Sequence, residues 1–161
     1  MSVTCSYAMK LGCAETLATG VDAASSPTLK LTGFDSTGSL SATSTVPVTK
    51  VAFDTIALVA GAKTIDLTNT VGVLSTTVDF TGLKVQLMKI KNRTGNSVMT
   101  FSQGSSNPYT LAGSSWSIRL KAGQEFMLFG NDIGEDVAAG VKNIDIAGTG
   151  TESFDFIIVA G

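Results

Sequence analysis

The chain has 161 residues, of which 43% are hydrophobic, enough for one domain with a substantial core. Only 15% are charged, the formal net charge is −2 and there is no His. That balance argues against nucleic acid as the main partner, because phosphate binding needs clustered Lys and Arg, and it excludes Ser-His and Cys-His nucleophile pairs outright.

In chain order the sequence reads as short β-segments broken by Gly, Ser, Thr, Asn and Asp. Val3 to Leu11 is a first strand. Gly12 to Ser26 is Ala- and Thr-rich and ambiguous, with room for one helical turn at Ala14-Glu15-Thr16-Leu17. After Pro27, Thr28 to Thr32 alternates cleanly; Asp35-Ser36-Thr37-Gly38 is a turn signal, and Ser39 to Ala42 adds a short strand. Val46 to Phe53 alternates again, and Pro47, which cannot donate to a ladder, places that strand at an edge or at its own start. Thr55 to Val59 and Lys63 to Leu67 flank Ala60-Gly61-Ala62 as a tight hairpin would, and Asn69 to Thr77 reads as a loop.

Leu83 to Lys91 is the strongest strand, although its apolar residues do not alternate perfectly, so both faces are expected to be partly covered. Asn92 to Asn96 predicts a hairpin into Ser97 to Phe101. Trp116 to Leu120, Glu125 to Phe129, Lys142 to Ile146 and Phe154 to Val159 follow, the last two joined by the hairpin loop Gly148-Thr149-Gly150-Thr151. Roughly ten strands with turns every 8 to 12 residues predict an all-β chain, an antiparallel β-sandwich or jelly-roll-like domain. No composition break divides the 161 residues; residues 1–27 read either as part of that domain or as an N-terminal arm.

No Gly-x-Ser-x-Gly elbow, phosphate-binding loop or dinucleotide fingerprint occurs, so the expectation is a protein that is not an enzyme and uses no cofactor. Most carboxylates, such as Asp66, Asp145 and Asp155, fall at polar positions of alternating strands. Gly130 to Asp136 is the exception: Asp132, Glu135 and Asp136 are either an ordinary acidic loop or oxygen ligands for a hard cation such as Ca²⁺. Cys5 and Cys13 read as small apolar side chains or as a late-formed disulfide, within one chain or between two. Asn92-Arg93-Thr94 matches the glycosylation sequon but reads as a turn. Tyr109 and Trp116 are candidate interface anchors, with core packing as the competing reading, and Phe156 and Ile158 join them as interface candidates in an uncharged terminal run. No apolar run approaches the ~20 residues of a membrane span, and Met1-Ser2-Val3-Thr4 does not open a signal peptide, which reads as synthesis in a cytoplasm without export by that route.

Several segments of residues 78–161 share one pattern. They are Phe80 to Leu87, Lys91-Asn92-Arg93-Thr94-Gly95-Asn96, Ser102-Gln103-Gly104, Asn107 to Leu111, Lys121 to Gln124, Ile144 to Gly150 and Phe154 to Gly161. The pattern resembles the small β-sandwich head-decoration and minor structural proteins of tailed phages, with Lys121-Ala122-Gly123 departing where a Pro-Gly turn is expected. The resemblance implies a virion subunit without a cofactor, a homo-oligomer, trimeric by analogy, that contacts a major capsid protein. Alternatives are a self-assembling bacterial surface or extracellular protein and a carbohydrate-binding β-sandwich module. Few charges and exposed strand edges favour self-association on physical grounds as well.

Overall fold

The structure, a computed structural model, describes residues 3–16, 28–33, 35–111 and 115–161. Every pairing between its named strands whose register is resolved is antiparallel. The chain divides into two compact units, Cys5–Ser39 and Leu40–Gly161.

The smaller unit is built of β1 (Cys5–Met9), β2 (Cys13–Thr16), β3 (Thr28–Leu31) and β4 (Ser36–Leu40), with β1 beside β4 and β2 beside β3 in two-stranded sheets. Two expectations change here. The Ala- and Thr-rich segment, ambiguous in sequence with room for a helical turn, is strand through Thr16, with Leu17 outside the described residues. Asp35 to Gly38 is not a turn, because Ser36 to Gly38 already run in β4. Gly38 belongs in that strand because a side chain there would collide with the Tyr7 ring of the neighbouring strand.

The larger unit contains β5 (Lys50–Ala57), β6 (Ala62–Asp66), β7 (Thr70–Val71), β8 (Thr77–Val78), β9 (Val85–Asn92), β10 (Met99–Gln103), β11 (Ser117–Leu120), β12 (Glu125–Phe129), β13 (Asn143–Ala147) and β14 (Ser153–Ala160). β7 and β8 form a small ladder where a loop is expected. The other eight make two four-stranded sheets, β12-β9-β14-β5 and β11-β10-β13-β6, called here the β5 sheet and the β6 sheet. β5 is an edge strand, one of the two expectations for it, but it starts at Lys50 and not at Val46, so Pro47 lies ahead of the ladder.

The two sheets share one core in a sandwich-like arrangement. Phe154, Phe156, Ile158, Met88 and Ile90 come from the β5 sheet, and Phe101, Met99, Ile144, Ile146 and Ile65 from the β6 sheet. Phe101 and Phe154 meet edge to face, 5.3 Å between ring centroids, which joins the sheets across the middle of the core.

The pairings nest: β5 with β14, β6 with β13, β9 with β12, and β10 with β11. Apart from β10 and β11, successive strands among the eight lie in different sheets. This corrects all three expected hairpins. The turn at Ala60-Gly61 is present, with Val59 and Ala62 exchanging both backbone hydrogen bonds, but β5 and β6 do not pair. Asn92 to Asn96 likewise turns the chain from the β5 sheet to the β6 sheet, and Gly148 to Thr151 turns it back. Each is a corner. The same Asn/Gly chemistry makes both devices, since it fixes the turn and not the partner of the strand that follows.

Candidate interaction faces

Asn92 is the buried centre of one corner. Its amide donates to the Ser97 carbonyl at 2.8 Å and the Leu120 carbonyl at 3.0 Å, and its side-chain oxygen accepts from Asn96 Nδ2 at 2.8 Å. Asn96 also donates to the Ser153 carbonyl, and the Ser97 amide donates to Glu152 Oε1, both at 2.6 Å. That contact holds the Glu152 carboxyl below its usual range, the backbone bond from Ser97 outweighing the cost of burial. A side chain with no exposure and all these bonds is no attachment point for a glycan; the sequon is structural.

The interface candidates separate. Tyr109 is fully buried, donates its hydroxyl to the Glu135 carbonyl at 2.9 Å and accepts from the Val85 amide at 3.4 Å. Burial pushes its phenol far above the ordinary tyrosine range. Phe156 and Ile158 point into the core from β14, paired with Ile90 and Met88 of β9. All three belong to the core; for Phe156 and Ile158 the cause is alternation along β14, which sends 154, 156, 158 and 160 inward together. Trp116 is half-buried, packs against the core and donates to the Tyr109 carbonyl at 2.9 Å.

The acidic loop closes on a cation of the protein itself. Lys84 Nζ lies 2.8 Å from Asp132 and 3.8 Å from Asp136, which raises the lysine pKa, chiefly through the hydrogen bond to Asp132. Glu135 contributes its backbone carbonyl to Tyr109 and keeps an exposed side chain. Among the described residues no group of three His, Cys, Asp or Glu side chains is arranged to hold a metal ion. Cys5 and Cys13 are unbridged, and partial burial pushes the Cys5 thiol up.

The outward faces of the two sheets differ sharply. On the β6 sheet the register aligns Ser117, Ser102, Asp145 and Thr64 in one row and Arg119, Thr100, Ala147 and Ala62 in the next. Asp145 accepts from Thr64 at 2.7 Å and from the Ser105 amide at 2.7 Å; these bonds outweigh its partial burial and lower its pKa. This is a surface made for water.

On the β5 sheet the outward rows are Val51, Val159, Leu87, Phe129; then Phe53, Ile157, Lys89, Met127; then Thr55, Asp155, Lys91, Glu125. Seven of the first eight positions are apolar. Leu87 and Val159 are buried yet lie outside the main core cluster, whereas Phe53 is 52% exposed. The lower two rows form a shallow dish lined by Phe53, Thr55, Lys89, Lys91, Glu125, Asp155 and Ile157. Lys89 is bridged to Glu125 at 3.1 Å, and Asp155 accepts from Thr55 at 2.8 Å with Arg93 at 3.9 Å. Half-buried Lys91 has no ion pair among the described residues.

The imperfect alternation of the Leu83 segment has a local cause. The register slips between Val159 and Ala160, leaving Gln86 as the extra residue opposite them, so Val85 and Met88 both face inward. Gln86 is buried and donates to the Val46 carbonyl at 2.7 Å. The one local signal of this face is the pair Ile157 and Val159, apolar at the alternate positions of β14 and not among the interface candidates.

Comparison with protein-family models, with curated proteins and with solved structures finds no match to this chain. The class stated here, an all-β protein of several antiparallel sheets, therefore rests on its own geometry.

Proposed function

We propose that this chain is a non-catalytic structural subunit of a tailed-phage particle, a jelly roll that works through protein–protein contacts on the virion surface. The observation that carries the reading is the asymmetry of the two outward faces. One sheet presents hydroxyls and charge, and the other exposes Phe53 with half-buried Ile157 and Met127 beside a charged row, as expected of a subunit with one face to water and one to a neighbour. The nested pairings, with strands alternating between two four-stranded sheets, support the jelly-roll assignment, an architecture common in capsid and lectin domains.

The test is direct: particles banded from a lysate of cells that encode the protein are stripped and their components identified by mass spectrometry. The reading expects the chain at fixed stoichiometry to the major shell protein. Its presence only in the soluble fraction overturns the virion assignment. A sugar-binding module is the second reading, favoured by exposed Phe53 beside Asp155 in the dish. Saturable binding on a glycan array, lost in Phe53→Ala, would select it.

A further inference from the structure

We infer that the outward dish of the β5 sheet is a self-docking face, whose occupant is the same face of a second copy related by a two-fold axis. This deepens the reading of the chain as an assembly subunit and rests on it. It also differs from the trimer the resemblance implies, because a patch that meets itself is isologous and closes as a dimer.

The strand register sets which residues meet across such an axis. A two-fold axis running along the strands, midway between β9 and β14, lays β9 over the partner's β14 and β12 over the partner's β5. In the third row Lys91 then falls over the partner's Asp155, twice by symmetry, and Glu125 over the partner's Thr55. In the second row Phe53 falls over the partner's Met127, again twice, giving the aromatic–sulfur contact that both side chains favour. Lys91 is half-buried and makes no ion pair among the described residues, although Asp155 and Glu125 are its direct strand neighbours, so the partner carboxylate adds a contact that its own chain leaves unmade. Of the four charges on the face, Lys91 and Asp155 meet opposite charge across the axis, while Lys89 lays its stem over the partner's Ile157; an anionic partner would select a single sign. Aligned packing of twisted sheets, about 30° between strand directions, preserves these neighbours.

The area sets the strength. Two rows across four strands cover about 19 by 14 Å, on the order of 270 Å². That is about a third of the ~800 Å² per partner of a standard stable interface. The contact is therefore weak and concentration-dependent, suited to copies already held close in an assembly.

Sedimentation equilibrium on the full chain, from about 10 μM to about 1 mM, is the test, since a contact this small associates only near the top of that range. The average mass is expected to rise from 16.5 kDa towards that of two chains. Lys91→Asp and Asp155→Lys each convert two attractive contacts into two repulsive ones, so each alone should weaken association about tenfold or more. An equimolar mixture of the two variants should restore it, because both cross-copy pairs then carry opposite charge. Each variant also places like charges side by side within its own sheet, and mixing leaves that untouched; recovery on mixing is thus specific to the interface. A wild-type chain that stays at 16.5 kDa throughout, a limiting mass of three chains, or single variants that associate like wild type would each overturn the inference. Incorporation of the same proteins into particles separates the two readings. Particles carrying wild type and both variants, with a monomeric chain in solution, would sink the self-docking face alone. Recovery on mixing without any chain in the particles would sink the virion assignment alone.

Discussion

Replacing Asn92 by Ala removes the one side chain that ties three segments at a single corner. Two donors to the Ser97 and Leu120 carbonyls and the acceptor for Asn96 disappear from a site with no solvent exposure. A lost hydrogen bond costs about 1 kcal/mol net, and a buried group left unsatisfied about 1–3 kcal/mol. The Leu120 carbonyl can relax towards its strand partner on β10, and Asn96 keeps its bond to Ser153. Those two therefore fall at the low end and the Ser97 carbonyl near the middle, so the sum is about 3–4 kcal/mol. For a unit of this size that corresponds to a fall in Tm of roughly 10–15 °C.

Trp116, the only tryptophan, packs against the same core, so its fluorescence follows urea unfolding of this unit directly. Asn92→Asp is the informative companion. It preserves shape and the acceptor for Asn96 but turns an oxygen towards two carbonyl oxygens, and should cost at least as much as Ala. Exposed Arg93→Ala is the control, expected within about 0.5 kcal/mol of wild type. A loss below about 1 kcal/mol in Asn92→Ala would refute the reasoning, since the corner would then be held by backbone turns alone.

Tyr109→Phe should cost about 1–2 kcal/mol, because it strips the hydroxyl from the Glu135 carbonyl and the Val85 amide. In the wild type, ultraviolet titration should show this phenol ionising only once alkali unfolds the protein, as burial dictates. Asp66 is partly buried, which alone would raise its pKa, but the bonds from Lys142 at 2.6 Å and from Thr68 lower it. A carboxyl depressed in the fold adds stability above its unfolded pKa of about 3.9 that is lost as pH falls through the folded value. Asp145 and Glu152 act in the same direction, so urea midpoints should drop below about pH 4, and Asp66→Asn should flatten that limb. Gly61→Ala should destabilise by more than about 2 kcal/mol, for φ is +80° and the new Cβ would sit 2.8 Å from the Gly148 carbonyl oxygen. Gly140→Ala, with open space around it, should be close to neutral in the same urea unfolding.

Local signals carried the strands well. Alternation locates β10 to β14 within a residue or two, because period-2 burial is written into Phe154, Phe156 and Ile158 or Met99 and Phe101 themselves. Partnership is written nowhere locally: Thr55 finds Asp155 a hundred residues away, and nothing in Asn92 to Asn96 says that the next strand joins the opposite sheet. Depth is not written locally either. Tyr109 looks like an anchor by residue type, but depth is set by the core that assembles around it. Beyond Ile157 and Val159 the outward face has no local signature, since its rows draw single residues from β5, β14, β9 and β12.

The nested pairing also fixes an order of events during synthesis. In the β5 sheet the last-made strand, β14, lies between β5 and β9, so β5 has no ladder partner until Ser153–Ala160 has left the ribosome. Among the eight strands of the two large sheets, only β10 and β11 are neighbours in both space and sequence and can pair early, and pairing then spreads outward from that innermost ribbon. For most of its translation the chain carries an unpaired edge containing Val51, Phe53 and Ile56, so a ribosome stalled within the final strand would expose a ready template for aggregation.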